Sequence, residues 1–87
     1  MHDTHRIVGV HVTDRVRRAG QVQQVLSEYG CSIKTRLGLH PVDENVCSPN
    51  GLILLELFGD DAPCRTLVDK LTAIEGVEVQ QMVFEHP

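Results

Sequence analysis

The feature that most constrains this chain is a pattern used twice: an alternating segment, a stripe of apolar residues three and four apart, a glycine, and a second alternating segment. In the first half, Arg6 to Val12 alternates. Val8, Val10 and Val12 point one way, while Ile7, Gly9 and His11 point the other. Period two marks a strand. Thr13 and Asp14 then supply helix-capping side chains. Val16, Ala19, Val22, Val25, Leu26 and Tyr29 fall on one helical stripe that ends at Gly30. Cys31 to Leu39 alternates again, with Cys31, Ile33, Thr35 and Leu37 on one face against Ser32, Lys34 and Arg36.

The second half follows a polar loop, His40 to Asn50, that carries Pro41 and Pro49 and closes on the turn dipeptide Asn50-Gly51. Leu52 to Phe58 is an expected strand, apolar on both faces apart from Glu56. Asp60 or Asp61 caps a second helix, and Pro63 suits its first turn. Its stripe is Cys64, Leu67, Val68, Leu71 and Ile74, with Gly76 at its end, and Val77 to Phe84 is the last strand.

Strand, helix, strand, strand, helix, strand across residues 1–87 predicts one α+β domain of the split βαβ, ferredoxin-like kind. Two right-handed crossovers interleave to give an antiparallel sheet ordered 4-1-3-2 with both helices on one face. The other face is then bare in a single chain. If Val8, Val10 and Val12 meet the helices, that face receives Ile7 and His11. It also receives either Leu52 and Leu54 or Ile53, Leu55 and Leu57, and either Met82 and Phe84 or Val77, Val79 and Val83. An apolar patch of this kind marks an interface. The expectation is a homodimer or tetramer that covers the open sheet face.

Composition removes several function classes. The net charge is −4 and the one basic cluster is Arg15, Arg17 and Arg18, which argues against autonomous nucleic-acid binding. Tyr29, Phe58 and Phe84 are too few aromatics for a base-stacking surface. No apolar run approaches the length of a membrane span, and no signal peptide opens the chain. Cys31, Cys47 and Cys64 are odd in number, widely spaced and without a C-x-x-C pair, which fits a reducing cytoplasm.

Chemistry-bearing residues are sparse. His2, His5 and His86 lie near the termini, and His40 and Cys47 flank the loop. A zinc site needs three or four converging ligands, usually with a closely spaced pair, and no such pair occurs within an expected element. A metal-binding or metal-sensing alternative would rest on His11, His40 or Cys47. Cys31, at the expected core side of a strand, and Cys64, on the stripe of helix 2, look like packing residues. A small enzyme on this scaffold is a further alternative, because the fold hosts many chemistries. No catalytic pair and no cofactor-binding motif nominates one. The junction after strand 1 gathers the most polar groups. His11, Thr13, Asp14 and Arg15 stand where a strand feeds a helix N-terminus, and Gly20 interrupts the helix, either for close packing or for ligand access.

Several short stretches are familiar. Val12-Thr13-Asp14-Arg15, the helix end Leu26-Ser27-Glu28-Tyr29-Gly30 and the strand after it resemble the first half of an ACT domain. ACT domains are ferredoxin-like regulatory modules that bind small effectors, usually at subunit interfaces. The chain is similar to the small stand-alone ACT-like proteins named as iron-only hydrogenase system regulators. The likeness runs through Ile33, Arg36-Leu37-Gly38 and Pro41, and again through Lys70-Leu71, Ile74-Glu75-Gly76-Val77 and Val79. It implies a non-catalytic, cytoplasmic, homo-oligomeric regulator that binds a small effector or a protein partner. His11, Thr13, Asp14, Arg15 and Gly20 would carry the effector site, bordered by Arg36 and Gly38. There are departures. The loop from Val42 to Asn50 is longer than that family's hairpin. Val16-Arg17 also stands where a Pro-Gly commonly follows the Asp-Arg. The fold also resembles the C-terminal domain of the nickel-responsive repressor, but that domain's His-x-His…Cys pattern is absent.

Overall fold

The structure is a computed structural model and describes residues 4–13, 15–39 and 51–85. The elements are β1 (Thr4–Val12), α1 (Arg15–Glu28), a 3₁₀ turn (Gly30–Ser32), β2 (Ile33–Leu39), β3 (Gly51–Leu57), α2 (Asp61–Thr72) and β4 (Val77–Glu85). The four strands form one antiparallel sheet in the order β2-β3-β1-β4. This is the expected ferredoxin-like βαββαβ architecture.

The core lies between the sheet and the helices. Val8, Val10 and Val12 of β1 are buried, as are Leu55 and Leu57 of β3. Val22 and Leu26 of α1 and Cys64, Leu67, Val68 and Leu71 of α2 cover them. Burying each of these larger aliphatic side chains contributes about 1.5–3 kcal/mol relative to leaving it in water. Every one of these buried residues falls on an alternation or stripe expected from the sequence, while Ala19, Val25, Tyr29 and Ile74 of the helical stripes are half-buried. The register also settles the faces that the sequence leaves open. Leu55 opposes Val8 and Val79 opposes Val10, so these residues share the helix face. Leu52, Leu54, Met82 and Phe84 go to the open face with Ile7 and His11.

Two expectations change. A bulge between Ile33 and Thr35 inserts one extra residue into β2. Period two slips at that point. Ile33 pairs with Leu57 on the helix face, whereas Leu37 pairs with Leu54 on the open face, so the two do not share a side. Cys31 is not a strand residue on the core side. It lies in the 3₁₀ turn and is exposed, and Ser32 is buried in its place. Gly30 opens that turn, and among the described residues the glycines with positive φ are Gly59 and Gly76. The polar loop, His40 to Asn50, lies outside the described residues.

Arg6 is a buried charge that the sequence does not flag. It sits on the helix face opposite Leu57 and Val83 at 8% exposure. Its Nη2 donates to Asp61 Oδ1 at 2.8 Å, fastening the start of α2 to the sheet. At the other end of the helix layer, Lys70 Nζ donates to Glu28 Oε2 at 3.1 Å and lies 5.2 Å from the centre of the Tyr29 ring, joining α2 to the end of α1. No described helix is long and apolar enough to cross a membrane.

Candidate functional site

Among the described residues, the ones named from sequence on β1 and on β2 do not meet within one chain. His11 lies on the open face, where it opposes Leu52 of β3 and Glu78 of β4. Thr13 leaves the sheet at the same end, and its N–H donates to the Gly76 carbonyl at 2.8 Å. This bond ties the β1–α1 junction to the turn before β4. Gly20 is exposed on α1, and a Cβ built there meets nothing within 4 Å, so it does not pack on the sheet. Arg36 and Gly38 lie on the edge strand β2, opposite Leu55 and Ile53, on the helix face. The whole of β3 separates them from β1. They are therefore on the opposite side of the sheet from His11. Arg15 begins α1, and Asp14 lies outside the described residues, as do His40 and Cys47.

Among the described residues, the open face carries a shallow concavity. Two adjoining depressions of about 230 and 200 Å³ share Gly9 and Gln80. One is bounded by His11, Leu52 and Glu78; the other by Ile7, Leu54 and Met82. Gly9 creates the floor because it lacks a side chain in the middle of β1. A Cβ there would make only ordinary contacts, at 3.8 Å from the Gln80 carbonyl and from Leu54 Cδ2. The signal was in the sequence: an isolated glycine inside a strand marks a place where something approaches closely. Gln80 Nε2 donates to Glu78 Oε1 at 2.9 Å. The polar end of the trough is therefore His11, Glu78 and Gln80. Apart from Gln81, the rest of its lining is Ile7, Gly9, Leu52, Leu54 and Met82, and on the same face Leu37, Leu52, Met82 and Phe84 are substantially exposed.

Cys64 does not enter this site. Its thiol donates to the Phe58 carbonyl at 3.6 Å, and burial pushes its pKa up, with Arg6 opposing and Asp61 and Asp60 adding to the rise. Among the described residues, no three His, Cys, Asp or Glu side chains gather as a metal site would require.

No protein-family model matches the chain, and a search of curated proteins finds no match. Solved structures are informative. The uncharacterized protein TM1266 of Thermotoga maritima is 29% identical, with a TM-score of 0.78 over 94% of this chain and 99% of that one. A protein of Thermus thermophilus classed as PII-like superposes with a TM-score of 0.65 over 95% of this chain and 89% of that one, at 6% identity. CPII, a nitrogen regulatory PII-like protein of Thiomonas intermedia solved with ADP, AMP and bicarbonate, gives a TM-score of 0.58 over 100% of this chain and 99% of that one, at 10% identity. The chain thus shares the ferredoxin-like architecture of these solved structures over nearly its whole length.

Proposed function

We propose that this chain is a non-catalytic, ACT-like regulatory protein of the iron-only hydrogenase system regulator type. It works in the cytoplasm as a homo-oligomer and acts by binding a small effector or a protein partner. The observation that carries this reading is the open sheet face. Leu37, Leu52, Met82 and Phe84 are between 37% and 57% exposed on a surface whose other members include Ile7 and Leu54. Leaving so much apolar area in water is unfavourable by about 25 cal/mol per Å², and a second copy removes it. The fold likeness to CPII, itself solved with ADP, AMP and bicarbonate, supports a small molecule as the effector. The β1–α1 junction remains the proposed place for it, around Thr13, Asp14, Arg15 and Gly20. A second copy is then needed to bring Arg36 and Gly38 of a neighbouring sheet towards that junction, because β3 keeps them away within one chain.

Two measurements test this. Sedimentation velocity on the wild type and on a Leu37→Glu, Leu52→Glu double variant should show an oligomer that the double variant dissociates; a wild-type monomer at micromolar concentration refutes the assembly. A thermal-shift screen with nucleotides, amino acids, bicarbonate and divalent metals should show stabilisation by an organic effector. Stabilisation by a metal alone would move the function to metal sensing.

A further inference from the structure

Gly9 opens a slot in the sheet that no side chain of the described residues fills. On the open face of β1 the residues run Ile7, Gly9, His11. The glycine therefore leaves a gap of about 13 Å between its neighbours along the strand, four residues apart. Across the sheet, Leu54 and Gln80 stand directly opposite Gly9 on its two sides, about 9–10 Å from each other at two strand spacings. A flat ring held between two side chains needs two contacts of about 3.5–4.0 Å each, which this width accommodates. A Cβ built on Gly9 meets only the Gln80 carbonyl and Leu54 Cδ2, both at 3.8 Å, so the slot is open down to the backbone. An aromatic ring packed over a strand glycine is one of the devices that offsets the missing side chain. Among the described residues no aromatic stands beside Gly9. Tyr29 and Phe58 lie outside the strands, and Phe84 pairs with His5, two rows along the sheet.

The walls set the chemistry of the ring. At one end stand His11, Glu78 and Gln80. Gln80 Nε2 donates to Glu78 Oε1 at 2.9 Å. A carboxylate can only accept, so this bond uses a Gln80 N–H and leaves the Gln80 carbonyl and the second Glu78 oxygen to accept from a ligand. That end is anionic and rich in acceptors. It repels a carboxylate or a phosphate and suits N–H donors. The other end, with Ile7, Leu54 and Met82, is apolar and suits ring carbons. We propose that the slot binds a small aminated heteroaromatic ring, the chemistry of a free nucleobase such as adenine. The ring stands over Gly9 between Leu54 and Gln80, and its amine donates to Glu78 and Gln80. This site is complete within one chain. It shares no residue with the effector site proposed at the β1–α1 junction, and so goes beyond that reading.

Adenine titrated into the isotope-labelled full chain, followed by amide chemical shifts in NMR spectra, reads both affinity and place. Adenine should give saturable shifts at Gly9, His11 and Gln80. Purine, the same ring without the amine, should bind at least about tenfold more weakly, because it forfeits hydrogen bonds to a charged acceptor. Benzoate should leave these amides unmoved. Gly9→Val fills the slot with a strand-favouring side chain whose Cβ makes only ordinary contacts; it should abolish the shifts and keep the rest of the spectrum. Glu78→Gln, at an exposed position, should erase the preference for adenine over purine. No saturable shifts in the wild type, equal binding of adenine and purine, or shifts that survive Gly9→Val overturns the inference. Shifts confined to residues 13–20 also overturn it, and leave the effector site at the β1–α1 junction standing. If adenine fails to bind and Gly9→Val alone changes the sedimentation coefficient, the slot is filled by a second copy and the inference is wrong.

Discussion

Gly76 is the position at which one methyl group should cost most outside the core. Its φ is +81°, and a Cβ built on it lies 3.3 Å from the Thr13 carbonyl oxygen, a backbone atom that cannot swing aside. Its own carbonyl accepts the Thr13 N–H at 2.8 Å, so displacing either residue strains that bond. Two penalties add in Gly76→Ala. The left-handed backbone costs a residue with a Cβ about 1–2 kcal/mol, and a crowded contact with backbone costs about 1 kcal/mol more. Gly59 is the internal control. Its φ is +90°, but a Cβ added there meets nothing within 4 Å, so Gly59→Ala carries the conformational penalty alone. Loss of unfolded-state entropy offsets both variants equally. Urea denaturation followed by circular dichroism should show Gly76→Ala less stable than Gly59→Ala by about 1 kcal/mol. For a domain of this size that corresponds to roughly 4–8 °C in Tm. If Gly76→Ala is as stable as Gly59→Ala, the Thr13–Gly76 latch does not constrain the β1–α1 junction and the reasoning is wrong.

Three further outcomes follow from the same geometry. Gly20→Ala, in open space on α1, should stabilise the fold by about 0.5–1 kcal/mol; if it also abolishes an effector-induced thermal shift, the effector lies on that face of α1. Arg6→Ala leaves a void under β1 and leaves the exposed Asp61 with only its surface pair to Arg65, and equilibrium unfolding should show a loss of about 1–3 kcal/mol. Cys64, whose pKa is raised from 9.0 chiefly by burial, should resist alkylation in the native state while Cys31, exposed, reacts quickly, as peptide mapping by mass spectrometry would show. A thiol with a raised folded pKa holds its proton longer in the folded state. Its contribution is fully present below the unfolded pKa and is lost as pH rises through the folded value. Stability should therefore decline above about pH 9, and Cys64→Ala should flatten that decline.

The fold was legible because three signals agreed. The valines of β1, the stripes of both helices and the order of elements each pointed to the same topology, and the buried set confirms them. The faces of β3 were not legible, since Leu52 to Leu57 is apolar on both sides apart from Glu56 and period two then carries no information. The partner strand decided it: Leu55 pairs with Val8. The bulge in β2 was invisible for a related reason. An extra residue in a strand changes no composition, yet it moved Leu37 to the open face, and the 3₁₀ turn before β2 kept Cys31 outside the sheet. The position of Arg36 and Gly38 relative to His11 was not legible either, because it required knowing which strand lies between β1 and β2, and that strand is β3. Sequence adjacency describes one strand's ends well and says nothing about the row of side chains across a sheet.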